Sequence, residues 1–185
     1  MKKLIVVLLV LASLKSFSQQ VKEFSLVNVI DGKTIALADY SSSPGLIIIF
    51  TLNNCPFDDY YLDRIKNLAL DKVPVLLVNS SLDDTESNEN MIKRAGQLKL
   101  GIPYLADKDQ VLMTSLNAHK STEAFLLKNN AGKFTVFYHG AIDDNPQVAG
   151  DVKYSYLKDA VNKMLAGQNA EAVDARPVGC NIRRK

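Results

Sequence analysis

Leu46-Ile47-Ile48-Ile49-Phe50-Thr51-Leu52-Asn53-Asn54-Cys55-Pro56-Phe57-Asp58-Asp59-Tyr60-Tyr61 is the stretch on which the fold turns. Its first five residues are apolar without alternation, mostly β-branched or aromatic. That pattern suits a central strand buried on both faces. The period then changes: Phe57, Tyr60, Tyr61, Ile65 and Leu68 recur at three and four, the mark of an amphipathic helix. Pro56 falls in the first turn, where a helix tolerates proline best. Cys55 sits at the junction. A thiol there faces free backbone N–H groups and the positive end of the helix dipole, and both favour thiolate, the reactive form. The end of a strand in an α/β sheet is also where ligands usually bind. Asp58 and Asp59 act the other way, because negative charge disfavours a nearby thiolate.

Working outward, Phe24 to Ile30 reads as a strand, Asp31-Gly32 as a hairpin turn, and Lys33 to Leu37 as the returning strand. Ser41 to Gly45 is a loop. On the other side, Val73 to Asn79 is a second buried strand, Ser80 to Asn88 a polar loop, and Met91, Ile92, Ala95 and Leu98 mark a second helix. Ile102 to Asp107 is a short extended piece, and Val111 to Leu116 fits a short helix. Glu123 to Lys128 and Phe134 to His139 are strands joined across Asn129-Asn130-Ala131-Gly132. Val152 to Leu165 is the last helix, with Tyr156, Leu157, Val161, Met164 and Leu165 on its apolar face and Gly167 as its stop. Strand–helix–strand units with short links imply a parallel pair. The later hairpin adds antiparallel strands. The expected α/β architecture is a mixed central sheet flanked by helices, with an N-terminal β-hairpin, which is the layout of the thioredoxin fold.

The chain has 185 residues, 47% of them hydrophobic, enough for one domain with its own core. The first segment stands apart. Lys2-Lys3, an apolar run from Leu4 to Leu14, and Ser16 and Ser18 at the −3 and −1 positions read as a signal peptide over 1–18. The run is shorter than the ~20 residues of a membrane span; an uncleaved anchor is the alternative. The domain is expected over 19–167, followed by a polar tail, 168–185, that carries Cys180. Losing Lys2, Lys3 and Lys15 changes the formal charge from +2 to −1, with 19 basic residues against 20 acidic. Such a near-neutral chain gives no electrostatic case for nucleic acid. The expected location is periplasmic or secreted, with no stable membrane span after cleavage.

The order of several short motifs resembles the peroxiredoxin-like branch of the alkyl hydroperoxide reductase/thiol-specific antioxidant (redoxin) family. They are Phe24 to Val29 with Asp31-Gly32-Lys33, Phe50 to Pro56 with Tyr60-Tyr61 and Arg64, and Ile102 to Asp107. Tyr138 to Asp144 and Gly179-Cys180-Asn181-Ile182-Arg183 complete the series. The resemblance implies a thioredoxin-like fold and a thiol oxidoreductase or antioxidant role with Cys55 as the redox cysteine. It needs no bound cofactor. The partners would be a thiol or disulfide electron donor, protein or small molecule, and a peroxide or protein disulfide. There are departures. Asp58 stands where thioredoxin-type reductases carry a second Cys. Ile48 and Leu52 stand where peroxidases of the superfamily carry Pro and Thr/Ser. Thr122, in Ser121-Thr122-Glu123, stands where the fold usually has a cis-proline; a cis bond before a non-proline residue costs ~3 kcal/mol, so a trans backbone is expected.

Cys55 and Cys180 are the candidate catalytic pair. For Cys180 three roles remain open: resolving an oxidised Cys55, a permanent staple, or an unpaired tail thiol. Asn53, Asn54, Pro56 and Thr122 are the candidate surroundings of the site. His119 and His139 read as solvated, and one Cys beside Pro and Asp makes a poor metal site. Arg64, nine residues after Cys55, is expected too far down the helix to touch the thiol. Asp143-Asp144-Asn145-Pro146 reads as an ordinary turn rather than a structured rim. The alternative to an enzyme is a binding module of the same fold with idle or disulfide-locked cysteines.

Overall fold

The apolar run lies where its composition demands. In the computed structural model, which describes residues 20–68, 72–169 and 175–185, β3 is Gly45–Phe50, and all six of its residues are buried. The expected signal segment lies outside the described residues. β3 pairs in parallel with β4 (Val75–Asn79) and antiparallel with β6 (Ala124–Asn130). Leu46, Ile48 and Phe50 enter one apolar cluster, while Ile47 and Ile49 enter the other. Each such side chain contributes about 2 kcal/mol of burial free energy.

Around β3 the chain builds a seven-stranded mixed sheet in the order β2-β1-β5-β4-β3-β6-β7. The outer strands are β1 (Ser25–Asn28), β2 (Thr34–Ala36), β5 (Tyr104–Ala106) and β7 (Lys133–Gly140). β1 and β2 form the expected hairpin, turning at Asp31-Gly32 with Gly32 at φ 73°. β6 and β7 turn through Ala131 and Gly132, both at positive φ (54° and 86°), as a two-residue hairpin requires. Helices α1 (Pro56–Leu68), α2 (Asn88–Leu98) and α4 (Tyr156–Leu165) supply Tyr61, Ile65, Met91, Leu157 and Val161 to one face. The short α3 (Val111–Leu116) covers the other with Leu112, Met113 and Leu116.

Two local readings change. The last helix starts at Tyr156, four residues later than its periodicity implies, and Leu165 is exposed. The reason is Asp144, whose Oδ1 accepts the amides of Lys153 and Tyr154 and holds that segment out of the helix. The Asp143–Pro146 segment is a latched loop, more than an ordinary turn. Arg64 stacks over the Tyr61 ring at 4.0 Å and donates to Asp143 Oδ2 at 2.6 Å and to the carbonyls of Asn145 and Pro146. The Tyr61 hydroxyl donates to the other Asp143 oxygen. Arg64 therefore has a structural post away from the thiol, as its distance along the helix suggests.

The Asp143 carboxylate is 4% exposed, so removing its cation strands a buried charge. Arg64→Ala is expected to lower stability by about 3 kcal/mol in urea denaturation. Arg64→Lys should recover part of the loss, because it keeps the charge without the planar fork. A loss below about 0.5 kcal/mol for the alanine variant would rule out the latch.

Candidate functional site

Cys55 immediately precedes α1, with Pro56 as the first helical residue. It is 1% exposed. Its sulfur is bonded to Cys180, with the two Cα atoms 5.9 Å apart across 125 positions of sequence. This excludes the unpaired role for Cys180. Two donors point at the Cys55 sulfur: the Ser121 hydroxyl at 3.2 Å and the Cys180 amide at 3.2 Å, the amide being shared with Ser121 Oγ at 3.1 Å. Hydrogen bonds of this kind favour the charged form of a thiol once the disulfide opens.

Cys180 reaches Cys55 because residues 175–185 pack back on the domain. Ala175 and Ile182 are buried, and the Ala175 carbonyl accepts the Ala141 amide. Ser121 N–H donates to the Cys180 carbonyl, Ile182 N–H donates to the His119 carbonyl, and Lys120 bridges Asn181 antiparallel. Gln110 accepts the Lys185 amide and donates to the Arg183 carbonyl. A polar composition reads as a loose tail, but backbone pairing is blind to side-chain type. The strap needs Gly179: a Cβ there would lie 2.0 Å from the Ser121 carbonyl oxygen.

Thr122 lies at the same junction, and its peptide bond is trans: among the described residues there is no cis bond. Its φ is +58°, left-handed and strained for a β-branched residue by about 1–3 kcal/mol. Two bonds hold it there: its amide donates to the Phe50 carbonyl and its hydroxyl to the Val178 carbonyl, both at 2.7 Å. The loop is thus tied to β3 through the Thr122 amide and to the chain's own strap through the Thr122 hydroxyl and the Ser121 amide.

Asn53 and Asn54 form the turn before Cys55. Glu86, buried in the loop between β4 and α2, accepts the Asn53 amide (2.7 Å) and the Asn79 side chain (2.7 Å) on one oxygen and the Asn54 amide (3.2 Å) on the other. The Tyr104 hydroxyl accepts from Asn79 and donates to Asn53 Oδ1. Glu86 was hidden in a polar loop with no periodicity to single it out. Ser121 was visible only as a neighbour of Thr122.

Asp58 is a second buried carboxyl beside this turn. Its Oδ1 accepts the Leu52 amide, while Oδ2 has no hydrogen-bond partner. Burial raises its pKa to about 7, against the pull of the Thr51 hydroxyl, the Leu52 amide and the Ser121 hydroxyl, whose one proton serves either this carboxyl or the Cys55 sulfur; Glu86 pushes it further up. Near neutral pH Asp58 is therefore partly protonated, and it opposes a Cys55 thiolate less than a fixed charge would. Asp59 points outward to an ion pair with Arg94.

The histidines lie off the sulfurs. His119 is exposed. His139 stacks on Phe125 and pairs through Nε2 with the buried Glu123. Burial raises the Glu123 pKa, but His139 and the amides of His119 and Lys120 outweigh it, leaving the group below its ordinary range. Among the described residues no group of His, Cys, Asp and Glu is placed to hold a metal ion. No helix among them is long and apolar enough to cross a membrane.

Two outcomes are expected of this site. Asp58 holds its proton more tightly in the native chain than in the unfolded one, where a carboxylate titrates near 3.9. Between about pH 4 and 7 the native state binds the extra proton, so stability falls as pH rises through that window. Asp58→Asn should flatten the pH dependence of stability over this range, and at pH 8 the variant should be the more stable protein by urea denaturation. Equal slopes for the two proteins would contradict the buried carboxyl. Separately, Gly179→Ala should open the disulfide at about tenfold lower dithiothreitol, because the strap has to lift from Ser121. An unchanged reduction midpoint would contradict that.

No protein-family model and no curated protein matches the sequence. Solved structures do. An uncharacterised conserved protein from Geobacillus kaustophilus superposes with a TM-score of 0.81 at 28% identity, covering 91% of this chain and 92% of that one. A hypothetical protein from Sinorhizobium meliloti 1021 gives 0.78 at 26% identity, covering 89% and 92%. The exposed lipoprotein thioredoxin of Streptococcus pneumoniae strain TIGR4 gives 0.60 at 19% identity, covering 79% and 99%. The fold is thioredoxin-like, as the order of elements implies.

Proposed function

We propose that this protein is an exported thiol–disulfide oxidoreductase in which Cys55 is the redox thiol and Cys180 its resolving partner. The observation that carries the reading is the Cys55–Cys180 bond at the start of α1, with the Ser121 hydroxyl and the Cys180 amide aimed at the Cys55 sulfur. In the reduced protein the Cys55 thiolate attacks a sulfur of a substrate disulfide. One substrate thiolate leaves and a mixed disulfide forms. Cys180 thiolate then attacks the Cys55 sulfur, releases the second substrate thiolate and closes the internal disulfide. With a peroxide as oxidant, the peroxiredoxin-like form of the same cycle, Cys55 takes one oxygen as sulfenic acid and the other leaves as water or alcohol. Cys180 then condenses with loss of water. Both routes end in the same oxidised chain and need two electrons from an outside thiol. Asn53 and Asn54, Pro56 and Thr122 shape the surroundings of this centre.

Export is supported by the signal-like residues 1–18, and an oxidising compartment lets such a disulfide persist. The pneumococcal neighbour, described as an exposed lipoprotein, fits that setting. The second reading is a binding module with locked cysteines, and the near-complete burial of Cys55 favours it.

Alkylation separates the two. In Cys180→Ser, Cys55 is expected to titrate below the about 8.5 of a free thiol. In the reduced wild type, hydrogen peroxide or oxidised glutathione should restore the Cys55–Cys180 bond, seen by mass. Cys55→Ser should abolish turnover, and Cys180→Ser should stop at a mixed disulfide or sulfenic acid. A Cys55 pKa at or above about 8.5 with no oxidised product would sink the enzyme reading.

A further inference from the structure

The two sulfurs of the disulfide differ in their surroundings, and the difference sets the direction of its chemistry. Cys55 is 1% exposed and belongs to the buried apolar cluster that holds Leu52, Phe50 and Ala118. Cys180 is only partly buried, at the edge of that cluster, on a strap whose neighbour Val178 is exposed. A thiolate that opens a disulfide approaches one sulfur from the side opposite the other, so the attacked sulfur must face open space along the S–S axis. The sulfur that leaves departs as a thiolate, and exchange is faster when that thiolate is stabilised.

We propose that the electron-donating thiol attacks the Cys180 sulfur and that Cys55 is the leaving sulfur. This inverts what the position of Cys55 at a helix start suggests, since a cysteine there is ordinarily read as the one that meets outside partners. The inference rests on the oxidoreductase reading above and names the sulfur through which its electrons enter. In the step, a donor thiolate forms a bond to Cys180 Sγ and the Cys180–Cys55 bond breaks. Its electron pair stays on Cys55 Sγ. The new thiolate arrives with the Ser121 hydroxyl and the Cys180 amide already 3.2 Å away and with the N-terminus of α1 beside it. A second donor thiolate then attacks the donor sulfur of the mixed disulfide, releases Cys180 as thiolate, and leaves as a donor disulfide. Two donor thiols are oxidised and one protein disulfide is reduced. At the other sulfur, the same attack would require a path through the buried cluster and would discharge a thiolate onto the strap.

The test uses the oxidised wild-type chain with reduced glutathione as the donor. Samples are acid-quenched at a series of early times, alkylated with N-ethylmaleimide, digested and read by mass, and the adduct ratio is extrapolated to zero time to remove later migration between sulfurs. The expected result is glutathione on Cys180 and maleimide on Cys55, in at least tenfold excess over the reverse. Glutathione on Cys55, or an even split, overturns the inference while leaving the oxidoreductase reading intact. No mixed disulfide until the chain is unfolded in urea overturns both.

Discussion

A five-residue apolar run with no polar position can be satisfied only between neighbours on every side. β3 takes the centre of the sheet for that reason, and its placement constrains the turn at its end. The chain leaves the sheet at Phe50 and has only residues 51–55 in which to cross from a buried strand to the first helix. Those residues must find partners for their own backbone groups. Val78, Asp58 and Glu86 accept the amides of Thr51, Leu52, Asn53 and Asn54, Asn79 and Tyr104 brace Glu86 and the Asn53 side chain, and the turn becomes rigid enough to set Cys55 at the head of α1. The position of the Cys55–Cys180 disulfide is thus a consequence of how a fully apolar strand has to end.

The polar groups gathered under this turn would be a liability in a core built only for stability. Asp58 has an oxygen without a partner, Glu86 is a carboxylate buried among amides, and Thr122 is held in a backbone region that threonine avoids. Asp58 lies three residues after Cys55, Glu86 bonds to the turn before it, and Thr122 bonds to the strap that carries Cys180. These unfavourable local choices persist because the surrounding contacts over-determine them, and they are gathered around one bond, Cys55–Cys180.

Much of the architecture was legible in the sequence. The unbroken β3 run, the switch to a three-four period at Phe57, and the Asp31-Gly32 and Ala131-Gly132 turns are local signals, and β3, α1 and the two hairpin turns formed near their expected bounds. The late start of α4 was not legible, because Asp144 competes for backbone amides of its first expected turn from outside the helix. The place of Cys55 at the head of α1 was legible from the change of period alone. The role of Glu86 was not, since a carboxylate that serves an amide 33 residues away leaves no pattern in its own segment. The docking of 175–185 was equally hidden: its main contacts are between backbones, and its one telling side chain is the absence of one at Gly179.

The bond from Cys55 to Cys180 also divides the chain mechanically. It closes residues 56–179 into a covalent ring that holds α1 to α4 and four of the seven strands. Tension applied between residue 20 and residue 185 runs through the β1–β2 hairpin and β3, crosses the two sulfurs, and leaves along the last few residues of the strap. The ring bears none of it along its own backbone. Only the segment before Cys55 and the few residues after Cys180 can extend, at most about 3.3–3.6 Å for each residue. Reduction would release the whole ring to the same pull, so the redox state of one bond sets how far the molecule can be drawn out.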